Sequence, residues 1–332
     1  MKLLMFDFRE TEKNIFNTDE YKDFEITTFE GALNDKTKLS DEEYKNTCIL
    51  SVYRSSLLTK EVLKKFKNLR VIATRSYIFN HIDLDYCKKN KIAVLNVSQY
   101  GEEAIAEYAI GLIIALERKI KPALDDIKGY NINPIKYEGR LLNNLTIGII
   151  GCGKVGVKLG KIADFFNMKV LVSSYKEAPN FESYCNIVPF DELLSKSDII
   201  ALHMPYTTET YQIIGEEEFD KMKNGVYIIN TSCIELINIQ ALYKNLLNGK
   251  VLGAGMDILD SDFTKTKTKE LGNETMSTIN NSKITSKLLE MSNVIITPHI
   301  AYNTSDNVEY VIKTTMNNIR DFYKGMNTNR VY

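Results

Sequence analysis

Three short segments of this 332-residue chain hold residue types that can do chemistry. The first is Gly151-Cys152-Gly153-Lys154-Val155-Gly156, with glycines at the spacing that lets backbone amides approach phosphates. It follows an apolar run, Thr146–Ile150, and precedes a helical pattern, Val155–Phe166. In that setting Gly151 permits a tight turn, Gly153 admits a pyrophosphate, and Gly156 allows close helix–strand packing. A dinucleotide is the ligand this predicts; the plainer alternative is a glycine turn that only joins strand to helix. The second segment is Thr297-Pro298-His299-Ile300-Ala301. An imidazole with an ordinary pKa of about 6.5 can give and take a proton near neutrality. The third is Ile228-Ile229-Asn230-Thr231-Ser232-Cys233-Ile234, a strand-like run that opens into polar residues and a thiol.

About 20 residues beyond such glycines, a strand should end in an acid if the adenosine ribose keeps its free 2′-hydroxyl. Here it ends Val172-Ser173-Ser174-Tyr175-Lys176. Ser174 can donate a hydrogen bond and Lys176 adds positive charge, so the cofactor is NAD(H) or NADP(H), with a tilt toward NADP(H). A solvated surface lysine is the ordinary alternative for Lys176.

The elements that must position these residues follow from apolar periodicity. Strand-length apolar runs alternate with longer amphipathic stretches, the pattern of parallel sheets covered by helices. Leu3–Phe8, Cys48–Val52, Val71–Thr74 and Ala93–Val97 read as strands of a first unit, with helices over Thr59–Phe66 and Asp83–Asn90. Glu102–Lys119 reads as a long helix, apolar on most faces, of the kind that lies in an interface between domains or subunits. A second unit begins near Leu145 and adds strands at Val170–Ser173, Ile199–His203, Val226–Asn230, Leu252–Asp257 and Val294–Thr297. A last helix spans about Asp306–Gly325. The fold class is α/β, with two doubly wound parallel-sheet (Rossmann-like) domains and a cleft between them.

Composition narrows the function classes. With 332 residues, two domains are expected. A net charge of −1, with 44% hydrophobic and 26% charged residues, supplies no basic field for nucleic acid. No apolar run reaches the roughly 18 residues of a membrane span, and the start, Met1–Phe8, turns acidic too soon for a signal peptide, so a cytoplasmic location is expected. Cysteines 48, 87, 152, 185 and 233 show no CxxC spacing, so neither a metal site nor a disulfide framework is predicted.

Thr74–Asp83, Asn96–Tyr100, Ala104–Ala109, Val188–Leu194, Gly253–Asp257 and Ile296–Tyr302 together resemble the D-2-hydroxyacid dehydrogenase family, particularly its D-lactate dehydrogenase-like branch. The resemblance covers nearly the whole chain. It implies a substrate domain, 1–100 plus 300–332, a dinucleotide domain, 101–299, and a homodimer built around the helix near Ala104–Arg118. It implies reduction of a 2-oxo acid to a D-2-hydroxy acid, with hydride from a nicotinamide and a proton from His299. By the same resemblance, His203, Pro205, Thr231 and Asp257 line the cofactor, with Asp257 near the nicotinamide carboxamide. Tyr77, Ile78, Tyr100 and Tyr302 surround substrate. Asp262 falls where the family places a glutamate that holds the histidine's charge; the shorter arm is a departure, and a solvated acidic loop is the plainer reading of Asp260 and Asp262.

Cys233 is the larger departure, since the family places there an arginine that binds the substrate carboxylate. Losing such a charge-assisted contact predicts a loss of about a thousandfold or more on ordinary 2-oxo acids. Ile78 and Ile234 replace glycines, and β-branched residues disfavour positive φ. Arg54 is a candidate replacement cation, and Cys233 a candidate nucleophile, although most buried cysteines are inert. Three readings stay open: a working reductase, a catalytically silent dinucleotide-binding sensor or partner subunit, and a reductase whose substrate lacks the carboxylate.

Overall fold

The computed structural model describes residues 1–16, 19–98, 100–130, 133–174, 184–257 and 276–332. The chain divides into two compact units, Met1–Tyr100 with Asn303–Tyr332, and Gly101–Tyr302. Residues 300–302 group with the second unit, to which the amides of Ile300 and Ala301 are bonded through Asp257.

In the first unit β1 (Lys2–Met5), β2 (Glu25–Thr28), β3 (Ile49–Val52), β4 (Val71–Thr74) and β5 (Ala93–Leu95) form a parallel sheet of order β2-β1-β3-β4-β5. β3 and β4 are buried throughout, as near-continuous apolar runs covered on both faces should be. The expected strand Leu3–Phe8 stops early because Asp7 takes a left-handed φ of 54° and turns the chain, although Phe6 and Phe8 stay buried. The last helix, Ser305–Tyr323, packs Ile312, Met316 and Ile319 with Leu3, Met5, Val71 and Leu95 on one face of this sheet.

In the second unit β6 (Thr146–Ile150), β7 (Lys169–Ser173), β8 (Cys185–Ile187), β9 (Ile199–Leu202), β10 (Val226–Asn230), β11 (Val251–Asp257) and β12 (Val294–Thr297) form a parallel sheet of order β12-β11-β10-β9-β6-β7-β8. One cluster around Leu193, Phe219, Ile228 and Leu242 covers one face, and a second around Ala109, Ile113, Ile147 and Ile229 covers the other. The long helix is Glu102–Glu117, and its buried apolar residues Ala106, Ala109, Ile110, Leu112, Ile113 and Leu116 all belong to this second cluster. Its buried apolar residues are thus packed within its own unit. A further helix, Ile120–Lys128, follows it after Lys119, whose φ of 50° breaks the first. Among the described residues no helix is long and apolar enough to cross a membrane, and no cluster of His, Cys, Asp and Glu could hold a metal ion.

Candidate active site

The chain winds outward from β6 to β8, then crosses to β9 on the other side, so the order reverses between β6 and β9. Ligands of open α/β sheets bind beyond the carboxyl ends of the strands at such a reversal. The glycine segment follows β6 and His203 follows β9, so the two face each other there. Gly151 has φ +113°, and a Cβ on it would collide with the His203 carbonyl oxygen. A Cβ on Gly156 would strike the Gly151 carbonyl oxygen. Gly153 differs from both. Among the described residues its would-be Cβ meets nothing closer than 3.9 Å, so there its missing side chain relieves no packing clash. It is also the N-cap of the helix Lys154–Phe165, with no side-chain cap hydrogen bond. A helix start with uncapped amides and the positive end of the helix dipole suits a pyrophosphate. Val155 is half-buried against the core, and the Lys154 ammonium lies 3.7 Å from Glu102.

The other residues of this edge follow successive strand ends. Ser174 is half-buried after β7, while Lys176 lies outside the described residues. His203 is buried, 3.5 Å from the Thr231 hydroxyl through Nδ1, and burial lowers its pKa to about 4. It is therefore neutral at physiological pH. Pro205 is exposed, and its carbonyl accepts from the Thr210 hydroxyl at 3.0 Å. Thr231 is buried beyond β10. Cys233 is half-buried and packs against the cluster around Leu242, and its carbonyl accepts from Asn230 Nδ2 at 2.8 Å. Asp257 ends β11, and His299 lies two residues beyond β12 with a left-handed φ of 54°. The Tyr302 ring lies 5.7 Å from the imidazole, centroid to centroid. Asp260 and Asp262 lie outside the described residues.

The first unit carries the remaining candidates on the carboxyl edge of its own sheet. The loop after β4 runs Arg75-Ser76-Tyr77-Ile78. The Ser76 carbonyl accepts from Val97 N at 3.2 Å, the Tyr77 carbonyl from Asn96 Nδ2 at 3.0 Å, and the Ile78 carbonyl from the Ser76 hydroxyl. In a trans peptide the N–H points opposite to the C=O, so holding these three carbonyls inward turns the amides of Tyr77, Ile78 and Phe79 outward. Such a run of amides suits a carboxylate. Neither Ile78 nor Ile234 has positive φ, so the strain expected from isoleucine in place of glycine is absent; Ile234 instead opens a short 3-10 turn. Tyr77 and Ile78 are exposed, and Tyr100 is half-buried. Arg54 is exposed after β3. With burial as the larger cause, its charge helps lower the pKa of His81, which lies 3.3 Å from Thr74 Oγ1, to about 4.

Sequence reasoning missed two arrangements here. One is a buried pair in the first unit: Arg75 and Glu12 are both fully buried with Nη1 and Oε2 3.7 Å apart, and the Arg75 guanidinium lies 4.4 Å from the Tyr53 ring centroid. The other is the set of donors around Asp257, which tie its carboxylate to the turn bearing His299. No local pattern marks either, because each joins residues distant in sequence.

Two parallel-sheet α/β units, one with an uncapped glycine turn at its strand reversal, define a doubly wound fold suited to binding a dinucleotide. The family described as "D-isomer specific 2-hydroxyacid dehydrogenase, NAD binding domain" matches residues 110–301. The D-lactate dehydrogenase of Escherichia coli (strain K12) is 32% identical over 330 residues, 98% of each chain. The D-specific alpha-keto acid dehydrogenase of Enterococcus faecium is 35% identical over 283 residues, 83% of each chain. The crystal structure of D-lactate dehydrogenase from Aquifex aeolicus, complexed with NAD and lactic acid, is similar at TM-score 0.79 and 33% identity, over 99% of this chain and 98% of that one. The chain belongs to the D-isomer specific 2-hydroxyacid dehydrogenase family, and its second unit carries that family's NAD-binding domain.

Proposed function

We propose that this protein reduces a 2-oxo acid to its D-2-hydroxy acid with NADH, His299 supplying the proton. The observation that carries the reading is that the open Gly153 turn and the His299 turn lie on the same carboxyl edge of one sheet. A bound nicotinamide would supply the hydride. Around it, the uncapped amides after Gly153 would hold the pyrophosphate, Ser174 would face the adenosine end, and Thr231 would lie near the middle of the edge. Of the three histidines, His81 and His203 are buried with pKa values of about 4 and stay neutral, while His299 is half-exposed on its turn. The Tyr77–Phe79 amides would receive the substrate carboxylate, with Arg54 as the nearby cation, in place of the arginine that the family resemblance expects at Cys233.

NAD(H) is the cofactor we favour. The tilt toward NADP(H) rests on Ser174 and Lys176, and the matched family domain is described as NAD-binding. We also propose a homodimer built around the helix near Ala104–Arg118, next to which Ile120, Leu124 and Ile127 are exposed. The second reading, a silent dinucleotide-binding member, is favoured by Cys233, a thiol that packs against its own core where the family resemblance expects an arginine.

Turnover of NADH and NADPH with pyruvate, phenylpyruvate, 2-oxoisocaproate and glyoxylate, with chiral analysis of product, separates the readings. We expect D-product with NADH, a loss of about a hundredfold to ten-thousandfold on His299→Asn with cofactor binding kept, and at least a tenfold gain in kcat/KM on Cys233→Arg. Dinucleotide binding without turnover, in both the natural protein and Cys233→Arg, would establish the silent reading instead.

A further inference from the structure

Asp257 is 1% exposed at the end of β11, and its carboxylate faces the segment that carries His299. Oδ1 accepts from the Thr297 hydroxyl at 2.6 Å and from the Ile300 amide at 2.8 Å, and Oδ2 accepts from the Ala301 amide at 2.6 Å. The three donors bracket His299, one before it and two after it. Between them the chain makes a tight reversal, with the His299 amide bonded back to the Thr297 carbonyl at 2.9 Å and His299 in the left-handed region. A non-glycine residue rarely holds that conformation without support from outside the turn. Pro298, which has no amide hydrogen, cannot supply such support. The support comes from β11, the neighbouring strand, in the form of one carboxylate.

We infer that Asp257 is a positioning residue for His299, a clip that fixes the backbone from which the imidazole projects. This rests on the reading of His299 as the proton carrier, and it gives Asp257 a task distinct from contact with the nicotinamide. Its consequence is kinetic: a catalytic group displaced by about 1 Å can lose on the order of a hundredfold in rate without loss of ligand affinity. An asparagine keeps the shape but turns an N–H donor toward either the Ala301 amide or the Ile300 amide, so one of the clip's bonds becomes a repulsion.

The test has two arms. The first is amide hydrogen exchange of the full chain without ligands, followed in the peptide that spans residues 294–303. Asp257→Asn is expected to speed exchange at Ile300 and Ala301 at least tenfold. The second is kinetics: kcat should fall about a hundredfold, while the NADH Kd and the KM of the 2-oxo acid stay within about threefold. Thr297→Val, which removes one donor and leaves the carboxylate, should do the same more weakly, about tenfold in kcat, and decides the matter if Asp257→Asn does not fold. Unchanged exchange at Ile300 and Ala301 in the folded variants would overturn the inference. So would a loss of NADH affinity that parallels the loss of kcat, since that is the mark of a cofactor contact. Because the exchange arm needs no turnover, it stands even if the protein proves silent, and a failure of the reductase reading would show separately in His299→Asn.

Discussion

The two sheets are wound alike and end differently. Each reverses its strand order once, between β1 and β3 in the first unit and between β6 and β9 in the second, and each reversal creates a crevice at the carboxyl edge. In the second unit the crevice is bordered by Gly151 and Gly156, whose lack of side chains lets the backbone close up, and by Gly153, which leaves space. In the first unit side chains fill the equivalent place. Asp7 accepts from Tyr53 N at 3.2 Å, the Ser55 hydroxyl at 2.6 Å and the Ser56 hydroxyl at 2.8 Å, tying the end of β1 to the chain that leaves β3. Beside it Arg75 donates to the carbonyls of Phe6 and Asp7 and pairs with Glu12. The lesson is that parallel winding creates the crevice, while residue size and charge decide whether it receives a ligand or becomes a brace. The first unit leaves a different surface on that edge, the loop after β4, where Tyr77 and Ile78 are exposed.

The comparison breaks most visibly if the brace is not a brace. Arg75→Met leaves Glu12 buried without its principal cation and is expected to cost about 3–5 kcal/mol, read as a lower urea midpoint. Adding Glu12→Leu should recover most of that loss, and NADH affinity should stay unchanged in any variant that folds. A single variant as stable as the natural protein would contradict the account. Acid supplies the next effect. Burial lowers His81 and His203, one in each unit, from 6.5 to about 4. The unfolded chain protonates each below about pH 6.5 and the folded chain only near 4. Stability is therefore full above pH 6.5 and declines between 6.5 and 4 by about 1.4 kcal/mol per pH unit for each histidine. At pH 5 this amounts to about 2 kcal/mol apiece. Urea unfolding at pH 7 and pH 5 should show a smaller drop in His81→Asn than in the natural protein; equal drops would mean that its proton uptake does not differ between states.

Much of this architecture is legible in the sequence, for reasons that residues make plain. β3, β4, β9 and β10 are buried on both faces and stand out as apolar runs. Thr59 and Asp83 announce the helices they cap, each accepting from an amide three residues on. The edge strands β2 and β8 escape notice because no residue in them is fully buried, so neither stands out as an apolar run. The helix Ile120–Lys128 is hidden by Pro122 near its start and by the continuous pattern of the long helix before it. At the site, the glycine turn and its neighbours can be read because they are local. The packing of Cys233 against the core, the ordinary φ of Ile78 and Ile234, and the grip of Asp257 on the His299 turn depend on tertiary contacts that no short window contains.

The smallest predicted change is the most direct test of the central claim, that the second unit's open crevice is where the dinucleotide sits. Gly153→Ala places a methyl group where no atom of the described residues comes within 3.9 Å, at a φ of −71° that alanine adopts freely. NADH would be titrated by fluorescence into the natural protein and this variant, with melting temperatures measured alongside. The account predicts equal melting temperatures and at least tenfold weaker NADH binding by the variant, about 1.4 kcal/mol. Equal affinity in both proteins would place the dinucleotide elsewhere and contradict it.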